Sequence, residues 1–292
     1  MKTLDRLDGT PLKDGVAFEV GVRVNEFLTG ARPIEELEAL WRTHPVLIFR
    51  REALLEEELV AFSSLLGECE AVSRKDILSP YSDKVIYFST LRYADGRNLG
   101  GFAGGEDVDW HSDQTFRPAP STGAILYGVE VPRDGGDIYW ADQYRAWSLL
   151  PEDVRSKIDG KMGTYRYAKR LAIMNATELK GKFDELSRTP DVRHPVVLEH
   201  PLTGRKALYA DPTTLVSIDG LSEEENARIL PLLFEAGGDE SAVYRHKVLS
   251  GDLMMWDNGC TMHRRDVMTL EQPRLMKRTT FKLAATKYCV PH

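Results

Sequence analysis

No apolar run in this 292-residue chain approaches the roughly 18 residues that a bilayer-crossing helix requires. The first residues, Met1 to Arg6, hold no apolar segment of the signal-peptide kind. Basic blocks are equally missing. The 38 lysines and arginines are interspersed among 45 acidic residues for a net charge of −7, so no stripe is available to follow a phosphate backbone. Neither a membrane nor a nucleic acid is an expected partner. Cysteine is scarce: Cys69, Cys260 and Cys289 are odd in number and far apart, which excludes a disulfide framework or a paired-cysteine zinc motif. A cytoplasmic, soluble protein is the expectation. Repeats, low-complexity tracts and long linkers are also absent. A chain of this length can bury about three quarters of its unfolded surface, and as a β-sandwich it is commonly one unit. The expected organisation is therefore a single domain over residues 1–292.

Short apolar runs dominate what is present. Strands are predicted over 16–20, 45–49, 84–89, 122–131, 137–140, 206–210, 244–249, 252–256 and 277–284, with 194–199 and 206–210 as the arms of a hairpin around Pro201 to Gly204. Helices are predicted from Pro33 to Arg42, with proline at the first helical position, and from Glu56 to Leu66, with Gly67 as its C-terminal cap. Two more cover 142–150 and 151–158. Ser222 and Glu225 form a capping box for a further helix, which Pro231 should kink or restart. A glycine-rich stretch, residues 92–106, reads as a mobile loop or lid, and the polar segment 161–193 as an insertion that is partly mobile. Many short strands in two runs with flanking helices indicate a mainly β fold, a double-stranded β-helix or cupin-like jelly roll.

The chemistry concentrates in Trp110-His111-Ser112-Asp113-Gln114-Thr115-Phe116. On an extended strand His111 and Asp113 would project from one face, supplying two thirds of a 2-His-1-carboxylate site for non-heme iron. Taken alone, His-x-Asp reads as a surface loop or a His–Asp hydrogen bond. A second imidazole, His263, follows Trp256-Asp257-Asn258, and beyond it come Arg274 and Arg278. The even spacing of these arginines would put both on one face of a strand. His44, His194, His200, His246 and His292 have no ligand spacing and read as structural.

In these motifs, and in Gly135-Gly136-Asp137, His194-Pro195-Val196-Val197, His200 to Lys206 and Leu208-Tyr209, the chain resembles the taurine dioxygenase / chlorophenoxyacetate dioxygenase family of Fe(II)- and 2-oxoglutarate-dependent oxygenases. The stretches run in family order and cover nearly the whole chain. The resemblance implies Fe(II), 2-oxoglutarate and O2 as cofactor and co-substrates, with His111, Asp113 and His263 as iron ligands and the catalytic centre. It implies Arg274 for the distal carboxylate of 2-oxoglutarate. It gives Arg278 the near carboxylate, together with an anionic group of the prime substrate. The expected reaction is oxidation of a C–H bond in a small anionic organic molecule, by hydroxylation or by the desaturation or cleavage that can follow it. Halogenation is disfavoured, because halogenases of this kind replace the carboxylate ligand with a small residue and Asp113 is present. Residues 72–81, 97–106 and 161–193 are the expected substrate-selecting surfaces, and a homo-oligomer is compatible with all of this.

Two departures stand out. Where the family places a threonine that donates to the distal carboxylate, this chain has Ile138. Where taurine enzymes carry a sulfonate-binding histidine shortly after a Gly-Glu pair, it has Cys69 to Ser73 and no histidine, which points away from taurine. A non-catalytic metal-binding jelly roll, such as a sensor, stays open as an alternative, although it would have no use for the arginine pair. A zinc hydrolase fits the ligand types but lacks a nearby general base.

Overall fold

Three apolar runs form the centre of the molecule because each is covered on both faces. The computed structural model describes residues 7–13, 15–72, 75, 77–101, 108–173, 188–268 and 271–291. In it the runs are strands β3 (Val46–Phe49), β7 (Gly123–Glu130) and β15 (Leu253–Asp257). Leu47, Phe49, Ile125, Tyr127, Leu253 and Met255 face one core, while Val46, Ile48, Ala124, Leu126, Met254 and Trp256 face another. A strand buried on both sides reads as an unbroken apolar run rather than an alternating one.

These strands belong to an eight-stranded sheet ordered β1 (Gly9–Lys13), β2 (Ala17–Val20), β3, β15, β7, β17 (Leu275–Lys282) and β4 (Glu68–Cys69), with β5 (Ile86–Ser89) also on β17. Its outer face carries helices α1 (Val24–Leu28), α2 (Ile34–Trp41) and α3 (Glu56–Leu66), whose apolar sides meet it around Phe27, Leu37, Leu59 and Phe62. The inner face meets a four-stranded sheet, β14 (Val243–His246), β8 (Ile138–Asp142), β16 (Thr261–Arg265) and β6 (Val108–His111). Ile138 and Trp140 of β8 pack there on Ala124, Leu126, Met254 and Trp256. Each large apolar side chain so buried contributes about 1.5–3 kcal/mol. This is the expected jelly roll.

A further group of elements packs around an apolar cluster of its own. It contains β9 (Met162–Tyr165) between β10 (Val192–Pro195) and β13 (Leu215–Ile218), and the hairpin β11 (Val197–Glu199) and β12 (Lys206–Leu208). Helices α4 (Gln143–Leu149), α5 (Glu152–Ile158), α6 (Tyr167–Ile173) and α7 (Glu223–Gly237) complete it. The segment 161–193 therefore contains a strand whose Tyr165 is fully buried, and a helix; its residues 174–187 lie outside the described residues. Of the loop 92–106, residues 102–106 lie outside them too. Residues 92–98 turn back on themselves through Tyr93–Arg97 and Arg92–Asn98 pairings.

Several local expectations are adjusted. Pro33 is the residue before α2 rather than its first, and β10 ends at Pro195, so only Val197 onward forms the hairpin arm. Gly67 does end α3, but in extended geometry (φ −176°) and not as a left-handed cap. A Cβ there would lie 2.1 Å from the Lys282 carbonyl oxygen, so close packing of β4 against β17 demands the glycine. Helix α7 runs unbroken through Pro231, held by buried Ile229 and Leu233, with the Ser222–Glu225 capping box formed as expected.

Candidate metal centre and its cation surround

Cross-strand register creates the centre. His111, the last residue of β6, is the direct partner of His263 on β16, and directly opposed side chains on an antiparallel pair share a face. Their ring centroids lie 4.2 Å apart. Asp113 is not on the strand: β6 ends at His111 and the chain turns through Gln114, which takes φ +58°. A non-glycine residue in that region costs about 1–2 kcal/mol, and the turn carries the chain away from the site after Asp113. One ligand atom from each of His111, Asp113 and His263 lies within 4.8 Å of the others, and all three residues are buried.

The hydrogen bonds leave the right atoms free. His111 Nδ1 lies 2.7 Å from the Asp109 carbonyl, to which it donates as the neutral tautomer, leaving Nε2 with its lone pair. Asp113 Oδ2 accepts from Asn258 Nδ2 at 3.2 Å and pairs with the Arg278 guanidinium, whereas Oδ1 faces His263 Nε2 at 3.9 Å. His263 lies against the Trp256 ring, centroid to centroid 4.9 Å, and its buried Nδ1 has no hydrogen-bond partner among the described residues. Asn258 is the hub. Its side chain also donates to the Ser121 carbonyl and accepts from Trp256 Nε1, and its carbonyl accepts from Ser112 Oγ. The turn that presents it is tight: a Cβ on Gly259 would lie 1.8 Å from the Cys289 carbonyl oxygen.

Electrostatics keep the donors in the state a metal needs. Burial pushes the Asp113 carboxyl upwards, but the charges of Arg278, His263 and His111 overcome it and hold the group below the usual carboxylate range. Burial, then repulsion from His263 and Arg170, holds His111 well below its ordinary value. His263 is pushed down to about 4, by burial and by the charges of Arg278 and Arg170 against the pull of Asp113. Two neutral imidazoles and one carboxylate suit a divalent first-row metal, and the set fits Fe(II).

Of the two arginines expected on one strand, Arg278 lies within β17 and Arg274 immediately before it. The Arg274 backbone is clamped to Thr90, whose hydroxyl accepts from its N–H at 2.8 Å. Only 5% of Arg274 is exposed, and no carboxylate lies within ion-pair distance among the described residues. Burial, together with the charge of Arg265, lowers it to about 9. Arg265 is opposite Ile138 in the β16–β8 register and so shares the inward face of Ile138, Trp140 and His263. Sequence reasoning missed Arg265, although it is two residues from His263 on an alternating strand.

Arg170 of α6 was missed as well, with no periodicity in its polar surroundings to mark it. Asp211, buried between Ser112, Thr115 and Thr213, had no motif either. The remaining described histidines are structural: His194 contacts the Arg117 carbonyl, His200 accepts from the Leu202 N–H, His246 lies between Tyr244 and Asp252, and His44 packs on Phe18. His292 lies outside the described residues. The three cysteines are free and buried. No described helix is long and apolar enough to cross a membrane.

Residues 8–280 match the model of the family described as taurine catabolism dioxygenase TauD, TfdA family. The alpha-ketoglutarate-dependent 2,4-dichlorophenoxyacetate dioxygenase of Cupriavidus pinatubonensis is 28% identical over 263 residues, covering 86% of this chain and 89% of that protein. Pentalenolactone F synthase of Streptomyces avermitilis is 27% identical over 258 residues, covering 83% and 84%. Among solved structures, a taurine dioxygenase from Burkholderia xenovorans superposes with a TM-score of 0.76 at 26% identity, covering 99% of this chain and 95% of that one.

Proposed function

The chain belongs to the taurine catabolism dioxygenase TauD, TfdA family and is an Fe(II)- and 2-oxoglutarate-dependent dioxygenase, and from that premise we propose that it oxidises a C–H bond of a small organic acid. His111, Asp113 and His263 would hold the iron, Arg274 the distal carboxylate of 2-oxoglutarate, and Arg278, itself paired with Asp113, the near carboxylate. The whole chain acts as one dioxygenase domain, with the glycine-rich loop and the segment 161–193 among the surfaces that select the substrate. The observation carrying the reading is a buried His-Asp-His cluster together with a buried guanidinium, Arg274, that has no carboxylate of its own among the described residues. A sensor would gain nothing from burying that charge.

When bound, iron and 2-oxoglutarate supply the oxidising power: O2 is consumed, 2-oxoglutarate leaves as succinate and carbon dioxide, and a substrate C–H bond becomes C–OH. The protein's own share is positioning. Asp113 offers Oδ1 because Oδ2 is engaged, so it would bind through one oxygen and leave room for other ligands. Arg278 keeps Asp113 ionised, and a guanidinium fork matches carboxylate geometry as an ammonium cannot. Trp256 packs its ring on His263 and so backs that ligand with buried apolar surface.

Support for an acid as substrate comes from the cations around the triad and from relatives named for 2,4-dichlorophenoxyacetate and for taurine, which both bear acid groups. The experiment compares carboxylic acids with their methyl esters and amides, following substrate-stimulated succinate formation. Acids should stimulate at concentrations at least about tenfold lower, the effect of one good charge-assisted contact. Equal stimulation by neutral analogues would refute the acid assignment, and Fe(II) bound in full by His263→Ala would refute the ligand set.

A further inference from the structure

We infer that Arg170 receives the acid group of the prime substrate, with the body of that substrate lying along the stacked Phe116–Tyr167 rings. The inference rests on the dioxygenase reading above and names the contact that selects its substrate.

Helix α6 presents Arg170 towards the metal loop. Tyr167 and Arg170 are three residues apart, so they share a face of the helix. That face is oriented by Tyr167, whose ring stacks on Phe116 with centroids 4.0 Å apart and planes inclined by 23°. Phe116 follows Asp113 in the same turn, so the face bearing Arg170 is turned towards the iron-binding residues. The charge of Arg170 accordingly acts on both His111 and His263.

Hydrogen bonds fasten it there. Arg170 Nη1 donates to Thr213 Oγ1 at 3.1 Å, and that hydroxyl donates to Asp211 Oδ1 at 2.7 Å. Asp211 Oδ2 in turn accepts from Thr115 Oγ1 at 2.8 Å and from the Ser112 backbone N–H at 3.4 Å, between the two ligands. Asp211 is occupied by its own donors, since the Thr213 N–H adds a further bond at 2.8 Å.

The balance of charge then separates the arginines. Arg278 is neutralised by Asp113. Arg170 makes one hydrogen bond to a neutral hydroxyl and has no carboxylate within ion-pair distance among the described residues. It is half-buried, so a ligand can reach it with water partly excluded. A planar cation beside an aromatic pair suits a small acid carrying a flat or apolar body, such as an aryloxy or unsaturated carboxylate. Among the described residues, the charged or titratable groups around Arg170 include Asp113, Asp211, Arg278, Lys169, Tyr167 and the two imidazoles. Lys169 turns to the Leu215 carbonyl and so does not compete.

The test uses full-length protein loaded with Fe(II) and 2-oxoglutarate, and a panel of phenoxyacetate, cinnamate, benzoate and hexanoate, each beside its amide. KM and kcat for panel-stimulated succinate release are measured for the wild type, Arg170→Gln and Arg170→Lys, with iron content, 2-oxoglutarate dissociation constant and melting temperature alongside. Removing one partner of a charge pair predicts that Arg170→Gln raises KM for the preferred acid by about tenfold to a thousandfold. It should leave KM for the amide, iron content and the 2-oxoglutarate constant in place, with Arg170→Lys intermediate. If acids are preferred over amides and Arg170→Gln keeps that preference, the inference fails and the acid reading survives. If no acid is preferred over its amide in the wild type, the acid reading fails and the inference with it. A variant that melts lower and loses acid and amide alike marks Arg170 as a support for Asp211, which also overturns the inference.

Discussion

Replacing Arg274 with methionine should move stability and co-substrate binding in opposite directions. Arg274 is 5% exposed, its guanidinium faces no carboxylate among the described residues, and it is lowered from 12.5 to about 9 by burial and by the charge of Arg265. A base whose proton is so weakened in the folded state opposes folding wherever it is charged. The penalty is present in full at neutral pH and fades only as pH rises from about 9 towards 12.5. At 1.36 kcal/mol for each tenfold change in the proton equilibrium, it is on the order of 5 kcal/mol at neutral pH. Local rearrangement and water entry reduce what can be recovered to about 1–3 kcal/mol. Methionine keeps the apolar stem and drops the charge, so the metal-free protein should melt about 2–8 °C higher. The same change removes the proposed partner of the distal carboxylate and should weaken 2-oxoglutarate by about 2–5 kcal/mol, or some thirtyfold to a few thousandfold. Differential scanning fluorimetry of the apoprotein and titration calorimetry of the Mn(II)-loaded protein read the two effects separately. An Arg274→Met protein that melts lower and binds 2-oxoglutarate as before would show that the cation serves the fold and not the co-substrate.

Because His263 is lowered to about 4 while an exposed histidine titrates near 6.5, its contribution to apoprotein stability is complete above about pH 6.5 and is lost as pH falls towards 4. Urea unfolding at pH 7, 5.5 and 4.5 should show this decline, at most about 3 kcal/mol, and His263→Gln should flatten it. An identical slope in the variant would assign the acid sensitivity elsewhere. Ile138→Thr places a hydroxyl on the inward face beside Arg265 and should tighten 2-oxoglutarate by about 1.5–3 kcal/mol, the worth of a hydrogen bond to a charged group. Weaker or unchanged binding would mean that the wild-type pocket already satisfies the carboxylate, and Arg265→Gln then becomes the variant expected to lose it.

Much of the molecule was legible along the chain. Residues 45–49 read as a buried strand and 252–256 as a strand because burial on both faces demands an uninterrupted apolar run, a property carried by the sequence itself. The ligand types were legible for a similar reason: imidazole and carboxylate hold iron wherever the fold puts them. Elements whose stability comes from distant partners escaped notice, such as β9 and α6, which are short and mixed in polarity. The charge state of the centre was undetermined too. Nothing in the order of residues says that Arg278 is paired with Asp113, that Arg274 is buried away from any described carboxylate, or that Arg170 is tied through Thr213 to Asp211. Those facts depend on the register that sets His111 opposite His263 and on the stack that turns α6 towards the metal loop. Coulomb energy follows distance through space, and only the packing of strands far apart in sequence sets those distances.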